Sequence, residues 1–184
     1  MKIPLPALPF LALISSAPGA FIINMGEVGS DVLVLGSGQI NLTGATSGSG
    51  GTTSISQMGP NIARFISTPA SNSPRDDYLF VTRPISFGPG IDTFTGLGTG
   101  DLFSIIGNNL GLPAGYVSQD PLSFSLTFPN TDLATVGANI GSYEWTLPND
   151  TITLNVGATI PEPSSVMLIV SMAGFGLLRS RRRK

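Results

Sequence analysis

The clearest strand signal in the chain is Leu122-Ser123-Phe124-Ser125-Leu126-Thr127-Phe128. Apolar and polar residues alternate over this segment without interruption. Because successive side chains of a β-strand point to opposite faces of the sheet, the apolar residues share one face. The segment therefore predicts a half-buried strand whose core face carries Leu122, Phe124, Leu126 and Phe128.

A second alternating pattern predicts a β-hairpin. Residues 143–147 and 152–156 alternate in the same way, and Pro148-Asn149-Asp150 lies between them. Two such runs joined by turn-forming residues are typical of a hairpin. Its core face should carry Tyr143, Trp145, Leu147, Ile152, Leu154 and Val156. We expect Trp145 to be the largest single contributor to the core.

The segment 21–44 predicts two more strands. The first covers residues 21–24, and a turn follows at 27–31. Residues 32–35 form a continuous apolar run, which predicts a strand covered on both faces. Gly36 and Gly38 are expected to interrupt that strand before the alternation resumes.

The segments between these signals predict loops and short strands. Residues 44–60 are rich in Gly, Ser and Thr without apolar periodicity, which indicates a mobile surface loop. Short apolar segments at 64–66 and 78–85 predict strands, and residues 71–77 between them are dense in turn formers. Phe87-Gly88-Pro89-Gly90 is a further break.

These patterns predict an all-β fold. Many short strands with frequent turn signals favour an antiparallel β-sandwich of jelly-roll-like type. The exception is one helical turn at 131–136, capped by Thr131 or Asp132 and ended by Gly137. A C-terminal transmembrane helix is expected in addition.

The chain divides into three predicted parts. Residues 1–19 are predicted to be a signal peptide, 20–159 the β-sandwich ectodomain, and 160–184 a sorting and anchor segment. The middle part is long enough for one core of this kind.

Composition excludes several classes of function. The 184 residues include no Cys and no His, so disulfides, thiolate or imidazole metal sites and Cys or Ser–His nucleophiles are excluded. Between residues 20 and 160, the three arginines Arg64, Arg75 and Arg83 face ten acidic residues, a net charge of −7. This acidic middle part is a poor candidate for binding nucleic acid.

The N-terminus has the order of a secretory signal peptide: Lys2, an apolar run over residues 3–14, and then small residues. Cleavage after Gly19 places Ala17 at the −3 position. Three prolines interrupt the apolar run, and Lys2 is the only cation. A buried N-terminal strand therefore stays open as an alternative, as does a misassigned start codon.

The C-terminus has three parts in a fixed order. Pro161-Glu162-Pro163 is followed by fifteen uncharged residues, 164–178, and then by a basic cluster. As a helix the uncharged run would span about 22 Å, which snorkelling and local thinning can match to a core about 30 Å thick. The predicted anchor includes Val166, Met167, Leu168, Ile169, Val170, Leu177 and Leu178. The cluster Arg179, Arg181, Arg182, Arg183 and Lys184 predicts that this end stays cytoplasmic.

This order of Pro-Glu-Pro, short apolar helix and terminal arginines resembles the PEP-CTERM sorting signal of exported bacterial proteins. The resemblance implies recognition and processing by exosortase, a membrane-embedded enzyme that resembles cysteine proteases. It also implies export through the Sec machinery and signal peptidase. A single C-terminal helix would anchor the protein until it reaches the cell surface or extracellular matrix. The alternative is a plain tail-anchored protein in which the Pro-Glu-Pro sequence is part of a linker.

The middle part also resembles, in patches, an exported domain of some PEP-CTERM proteins. The similar segments are 29–32, 37–44, 87–90, 115–118 and 141–146. The chain departs from that pattern at 147–150, where the relatives tend to have a second Trp with Gly and Ser. No established activity goes with that domain, so the resemblance implies a β-rich ectodomain and no reaction.

Carboxylates are the remaining residues for catalysis or metal binding. A glycosidase needs two acids, for which Glu27, Asp31, Asp92, Asp101 and Glu144 are the candidates. Glu144 lies next to Trp145, which would raise the pKa of its carboxyl if the two were in contact. The alternative is that Glu144 faces solvent on the opposite side of its strand.

Two weaker hypotheses concern calcium and sugars. Residues 88–94 resemble half of a calcium-binding nonapeptide repeat, and Asp101 follows Asp92 at the spacing of one repeat, although Gly100 breaks the second copy. Asp76 and Asp77 are further candidate oxygen ligands, and solvated acidic turns are the alternative. Tyr116 or Tyr78, if exposed, would suit stacking on a sugar.

Together the sequence predicts an exported, non-enzymatic surface or matrix protein that needs no cofactor. The alternative is a module that binds exopolysaccharide or another glycan. A two-carboxylate glycosidase is the third hypothesis.

Overall fold

The computed structural model describes residues 20–160, and these residues form an all-β structure. Within this range there are fourteen strands, one turn of α-helix and one short 3₁₀ helix. The strands are β1 Ala20–Val28, β2 Asp31–Gln39, β3 Thr46–Ser47, β4 Gly51–Thr53, β5 Ser56–Gly59, β6 Arg64–Ser67, β7 Ser73–Leu79, β8 Thr93–Thr95, β9 Thr99–Gly100, β10 Phe103–Ile106, β11 Asn109–Pro113, β12 Pro121–Phe128, β13 Gly141–Leu147 and β14 Asp150–Val156. The α-helix α1 is Leu133–Val136, and the 3₁₀ helix is Pro60–Ile62.

The first sheet has the strand order β13-β14-β1-β2-β12-β9. Its neighbours pair antiparallel, as predicted, except for β1 and β14, which are parallel. Parallel neighbours need a long connection, and here nearly the whole domain lies between the two strands. The predicted purely antiparallel arrangement is therefore wrong at this one pair.

The strongest sequence signals are confirmed in the first sheet. β12 buries Leu122, Phe124, Leu126 and Phe128 on one face and leaves the residues between them exposed or half-buried. β13 and β14 form the predicted hairpin. Trp145 is fully buried at its centre and is among the largest buried side chains.

The second sheet has the order β3-β7-β11-β10-β6-β5-β8, and β4 also pairs with β7. The two sheets pack face to face around one core. Phe21 of the first sheet stacks on Phe103 of the second with ring centroids 5.0 Å apart. Phe124 adds contacts at 5.4 Å to Phe65 and 5.0 Å to Phe103. This aromatic cluster joins the sheets, because offset-stacked rings add to the free energy of apolar burial.

The prediction that Gly36 and Gly38 interrupt their strand is wrong, since β2 runs through both. A side chain at Gly36 would collide with the ring of Phe124 on the neighbouring strand, so this glycine makes room for the aromatic cluster. Leu33 and Leu35 are only half-buried, whereas Val32 and Val34 are fully buried. The apolar run 32–35 is thus covered on one face and not on both.

The predicted loop 44–60 is also wrong, since it contains β3, β4 and β5. Polar residues are buried there. The Ser56 hydroxyl accepts a hydrogen bond from the backbone N–H of Thr68 at 2.9 Å, and the Thr68 and Thr53 hydroxyls are 2.9 Å apart. Because these side chains satisfy one another, a segment without apolar periodicity can pack inside the domain.

The segment 64–85 agrees with the prediction in its first strand and differs from it after residue 71. The short strand expected at 64–66 is present as β6, but the predicted turn 71–77 lies largely within β7, which ends at Leu79. Beyond it Val81 and Ile85 are exposed, and the backbone of Val81 donates to the carbonyl of Thr146 at 2.8 Å. The chain therefore leaves the second sheet and covers part of the edge of the first.

The predicted helical turn is confirmed as α1. Its N-cap is Asp132, whose carboxylate accepts a hydrogen bond from the backbone N–H of Thr135 at 2.6 Å. Hydrogen bonds from the side chain and then from the backbone of Thr135 lower the pKa of Asp132. Gly137 ends the helix in the left-handed conformation.

Residues 20–160 contain no helix that is long and apolar enough to cross a membrane. The predicted signal peptide and the predicted anchor lie outside the described residues, as do Pro161, Glu162, Pro163 and the basic cluster.

Candidate functional site

Two of the five candidate acids, Glu27 and Asp31, bind backbone amides near α1. Glu27 accepts a hydrogen bond from the N–H of Leu133 at 2.8 Å, and Asp31 accepts one from the N–H of Asn130 at 2.9 Å. Both carboxylates thereby hold the connection between β12 and α1 in place. These hydrogen bonds give both carboxylates a structural role.

The candidate calcium ligands Asp92 and Asp101 bind different partners. Asp92 forms an ion pair with Arg64 at 2.8 Å, whereas Asp101 accepts a hydrogen bond from the N–H of Ser123 at 2.8 Å. Within residues 20–160 the structure assembles no group of three or more acidic side chains that could hold a metal ion. The structure therefore does not bring these two residues together as a site.

Asp76 and Asp77 are adjacent in β7 and point to opposite faces of the sheet. Asp76 is exposed and accepts a hydrogen bond from the N–H of Gly115 at 2.8 Å. Asp77 is buried and pairs with Nε of Arg75 at 2.6 Å. The two carboxylates consequently do not offer a joint set of oxygen ligands.

Glu144 is exposed on the face of β13 opposite the buried Trp145. Its cross-strand partner is Thr153. The hypothesis that the carboxyl of Glu144 contacts the indole of Trp145 is therefore wrong. The alternative, in which Glu144 faces solvent, is confirmed.

The two candidate sugar-stacking tyrosines pack against the core. Tyr116 is half-buried, and its hydroxyl donates to the carbonyl of Asp120 at 2.7 Å and accepts from the N–H of Ile40 at 3.1 Å. Burial raises the pKa of both Tyr116 and Tyr78. Neither ring is fully exposed, so the condition for sugar stacking is not met and packing against the core is the outcome.

The structure shows a surface feature that the sequence analysis did not predict. A hollow of about 390 Å³ lies on the outer face of the second sheet. We call it the arginine hollow, and its lining includes Arg64, Arg83, Asn108, Asn109, Ile62 and Ile85. It contains two of the three arginines in residues 20–160.

Short strands and turns position the residues of the arginine hollow. Arg64 begins β6 beside the 3₁₀ helix, which carries Ile62. Asn108 comes from the tight turn between β10 and β11, and Asn109 begins β11. Arg83 and Ile85 come from the segment after β7. One sequence signal could have indicated this site. The middle part has only three cations, so each of them is a candidate for a specific role.

The ion pair between Arg64 and Asp92 fixes one side of the arginine hollow. The side chains of Arg64 and Asp92 are 28% and 33% exposed. A side chain at Gly59, the cross-strand neighbour of Arg64, would collide with the Asp92 carboxylate. The glycine therefore allows Asp92 to reach and orient the guanidinium of Arg64.

Comparisons of the chain with protein-family models, with curated proteins and with solved structures found no match.

Proposed function

We propose that this chain is an exported, non-enzymatic protein of the cell surface or extracellular matrix, delivered through a PEP-CTERM signal. The observation that carries the proposal is the order of the C-terminal parts: Pro161-Glu162-Pro163, fifteen uncharged residues, and five cations among the last six residues. Its partners would be the Sec machinery, signal peptidase, exosortase and the membrane. In this proposal the domain is a jelly-roll-like β-sandwich, followed by a transmembrane helix.

The architecture of residues 20–160 supports this proposal. β14 ends at Val156, before the Pro-Glu-Pro sequence. Processing at that sequence would leave this strand whole. Most of the candidate carboxylates also hold backbone amides or an arginine, which favours a structural role over an acid–base role.

The experiment is to express the full-length chain with Glu162→Ala, or with residues 179–184 deleted, in a host that carries exosortase. We expect both changes to block surface delivery and to leave unprocessed precursor on an immunoblot. The matched control is Glu144→Ala, which removes an exposed carboxylate from the folded domain. Processing of the Glu162→Ala and deletion variants at the wild-type level would refute the proposal.

The second candidate function is a module that binds an extracellular glycan. The arginine hollow favours it, because guanidinium and amide groups stand beside apolar side chains at the protein surface. This combination suits a ligand with hydroxyl groups and apolar ring faces. A binding assay with saccharides tests it and is described below.

A further inference from the structure

Arg83 is the arginine without a carboxylate partner in the described part of the chain. Arg64 pairs with Asp92 and Arg75 pairs with Asp77, both within 3 Å. Arg83 is exposed, and its one hydrogen bond within residues 20–160 is a 3.5 Å contact to the carbonyl of its neighbour Pro84. Arg83 is thus the place within residues 20–160 where a guanidinium is left for an anionic ligand, against the net charge of −7 of these residues.

Arg64 adds a second, oriented guanidinium to the same hollow. Its Nη1 donates to Asp92, and its Nε is buried. A guanidinium carries five N–H donors in a fixed plane, so the donors left for a ligand are those on Nη1 and Nη2 that Asp92 does not use. Because Asp92 offsets the charge of Arg64, Arg83 supplies the uncompensated positive charge of the hollow and Arg64 supplies oriented donors.

The asparagines favour a saccharide over an inorganic anion. The Nδ2 groups of Asn108 and Asn109 each donate to a backbone carbonyl, at 3.4 Å in both cases. Their Oδ1 atoms accept no hydrogen bond from another residue within 20–160. Phosphate or sulfate would need donors only, whereas sugar hydroxyls use donors and acceptors.

Two isoleucines supply the apolar surface that a sugar ring also requires. Ile62 is 41% exposed and Ile85 is 86% exposed, and both line the arginine hollow. Such exposed side chains lose contact with water when an apolar ligand face covers them. A pocket that combines apolar walls with a few polar groups is the usual form of a small-ligand site, and its volume falls in the usual range.

We propose that the arginine hollow binds the carboxylated sugar units of an acidic polysaccharide, with Arg83 and Arg64 on the carboxylate, the asparagine oxygens on hydroxyl groups and the isoleucines on the ring. This inference rests on the second proposed function, glycan binding, and is independent of export and processing.

The test is isothermal titration calorimetry on the full-length chain in a non-ionic detergent. The probes are trigalacturonate, its methyl ester and neutral maltotriose. We expect trigalacturonate to bind, and its methyl ester to bind at least about tenfold more weakly, because a charge-assisted hydrogen bond contributes about 1.5–3 kcal/mol. Affinity should fall as ionic strength rises.

Variants place the binding in the arginine hollow. Arg83→Gln should weaken trigalacturonate binding about tenfold, and Arg83→Lys should weaken it less, because lysine keeps the charge but loses the planar fork. Ile85→Ala should also weaken binding. Ile140→Ala is the matched control, because Ile140 is 79% exposed and does not line the hollow.

Three outcomes would overturn the inference, and they separate it from the function on which it rests. Equal binding of the acid and its ester, unchanged in Arg83→Gln, would disprove carboxylate recognition and leave glycan binding standing. Absence of binding to all three saccharides at about 10 mM would disprove both. Competition by sulfate as strong as that by trigalacturonate would show a simple anion site in place of a saccharide site.

Discussion

The two sheets bury their residues in different ways. In β12 of the first sheet, buried and more exposed residues alternate, so one face meets the core and the other meets solvent. In the second sheet β5 is buried at all four positions, and β10 is buried at three of four. The second sheet is therefore shielded on its outer face as well.

A row of buried residues, both polar and apolar, runs across that outer face. Gln57, Ile66, Ser104, Gly111 and Asp77 are neighbours across five strands, and all are buried although they point away from the first sheet. The side chain of Arg75 lies over Gly111, where an added side chain would meet its Cδ. We call these five residues the outer row. Over Gly111 the outer face is thus buried by a long side chain of the same sheet.

The largest expected effect concerns the alternating first sheet. Trp145→Ala should lower the free energy of unfolding by about 3–5 kcal/mol, since it removes the largest buried side chain and leaves a cavity. Urea unfolding followed by far-ultraviolet circular dichroism would measure it, because the chain has no other tryptophan for fluorescence.

The matched control for Trp145→Ala is the neighbouring exposed residue. Glu144→Ala should change the free energy by less than about 0.5 kcal/mol. Equal effects of the two changes would contradict the one-sided burial of β13.

The next effect concerns the outer row of the second sheet. Arg75→Met should cost about 3 kcal/mol, because it leaves the buried carboxylate of Asp77 without its cation. The double variant Arg75→Met/Asp77→Leu should recover at least half of this loss in the same urea experiment. If the double variant loses as much free energy of unfolding as Arg75→Met alone, the unpaired carboxylate of Asp77 is not the cause of the loss.

Two buried serines of the second sheet should respond differently. Ser56→Ala removes the acceptor of the Thr68 N–H and should cost about 1–2 kcal/mol. Ser104→Ala should cost less than about 0.5 kcal/mol, because its hydroxyl has no hydrogen-bond partner within residues 20–160. Thermal unfolding of both variants provides the comparison. A larger loss for Ser104→Ala would show that the hydroxyl of the outer row is structurally needed.

The smallest effect tests a buried carboxylate in the first sheet. Asp150 accepts hydrogen bonds from the N–H groups of Asn41 and Thr151, and Asp150→Asn should cost about 1 kcal/mol. Burial raises the pKa of Asp150 above its ordinary value of 3.8. The folded protein therefore holds this proton more tightly than the unfolded chain does.

The pH dependence follows from that shift. The contribution of the Asp150 carboxyl to stability should decrease as pH rises above the ordinary carboxyl pKa and through the raised one. The difference in free energy of unfolding between the wild type and Asp150→Asn should accordingly be largest near pH 3 and should shrink toward about pH 7. A difference that grows with pH would contradict the raised pKa.

Sequence patterns predicted the first sheet well because its burial follows period-two alternation. β12 and the hairpin of β13 and β14 were identified from their apolar positions, as was the Asp132 cap of α1. Gly36 was misinterpreted because the partner that requires it, Phe124, is 88 positions away in the sequence. Such a contact leaves no local pattern.

The second sheet was harder to predict because its buried residues are polar. The segments with Ser56, Gln57 and Asp77 have the composition of loops and turns, yet hydrogen bonds and one ion pair bury them within strands. The arginine hollow was missed for a related reason. Arg64, Arg83 and Asn108 come from separate segments, and only the fold brings them together.

The central claim is that the β-rich domain functions outside the cell and that its terminal segments direct it there. The most direct test is the intact mass of the native protein from fractionated cells. The account predicts a chain that begins at Ala20 and lacks the basic cluster, recovered from the cell surface or matrix. An intact polypeptide of residues 1–184 in the cytosol would contradict it.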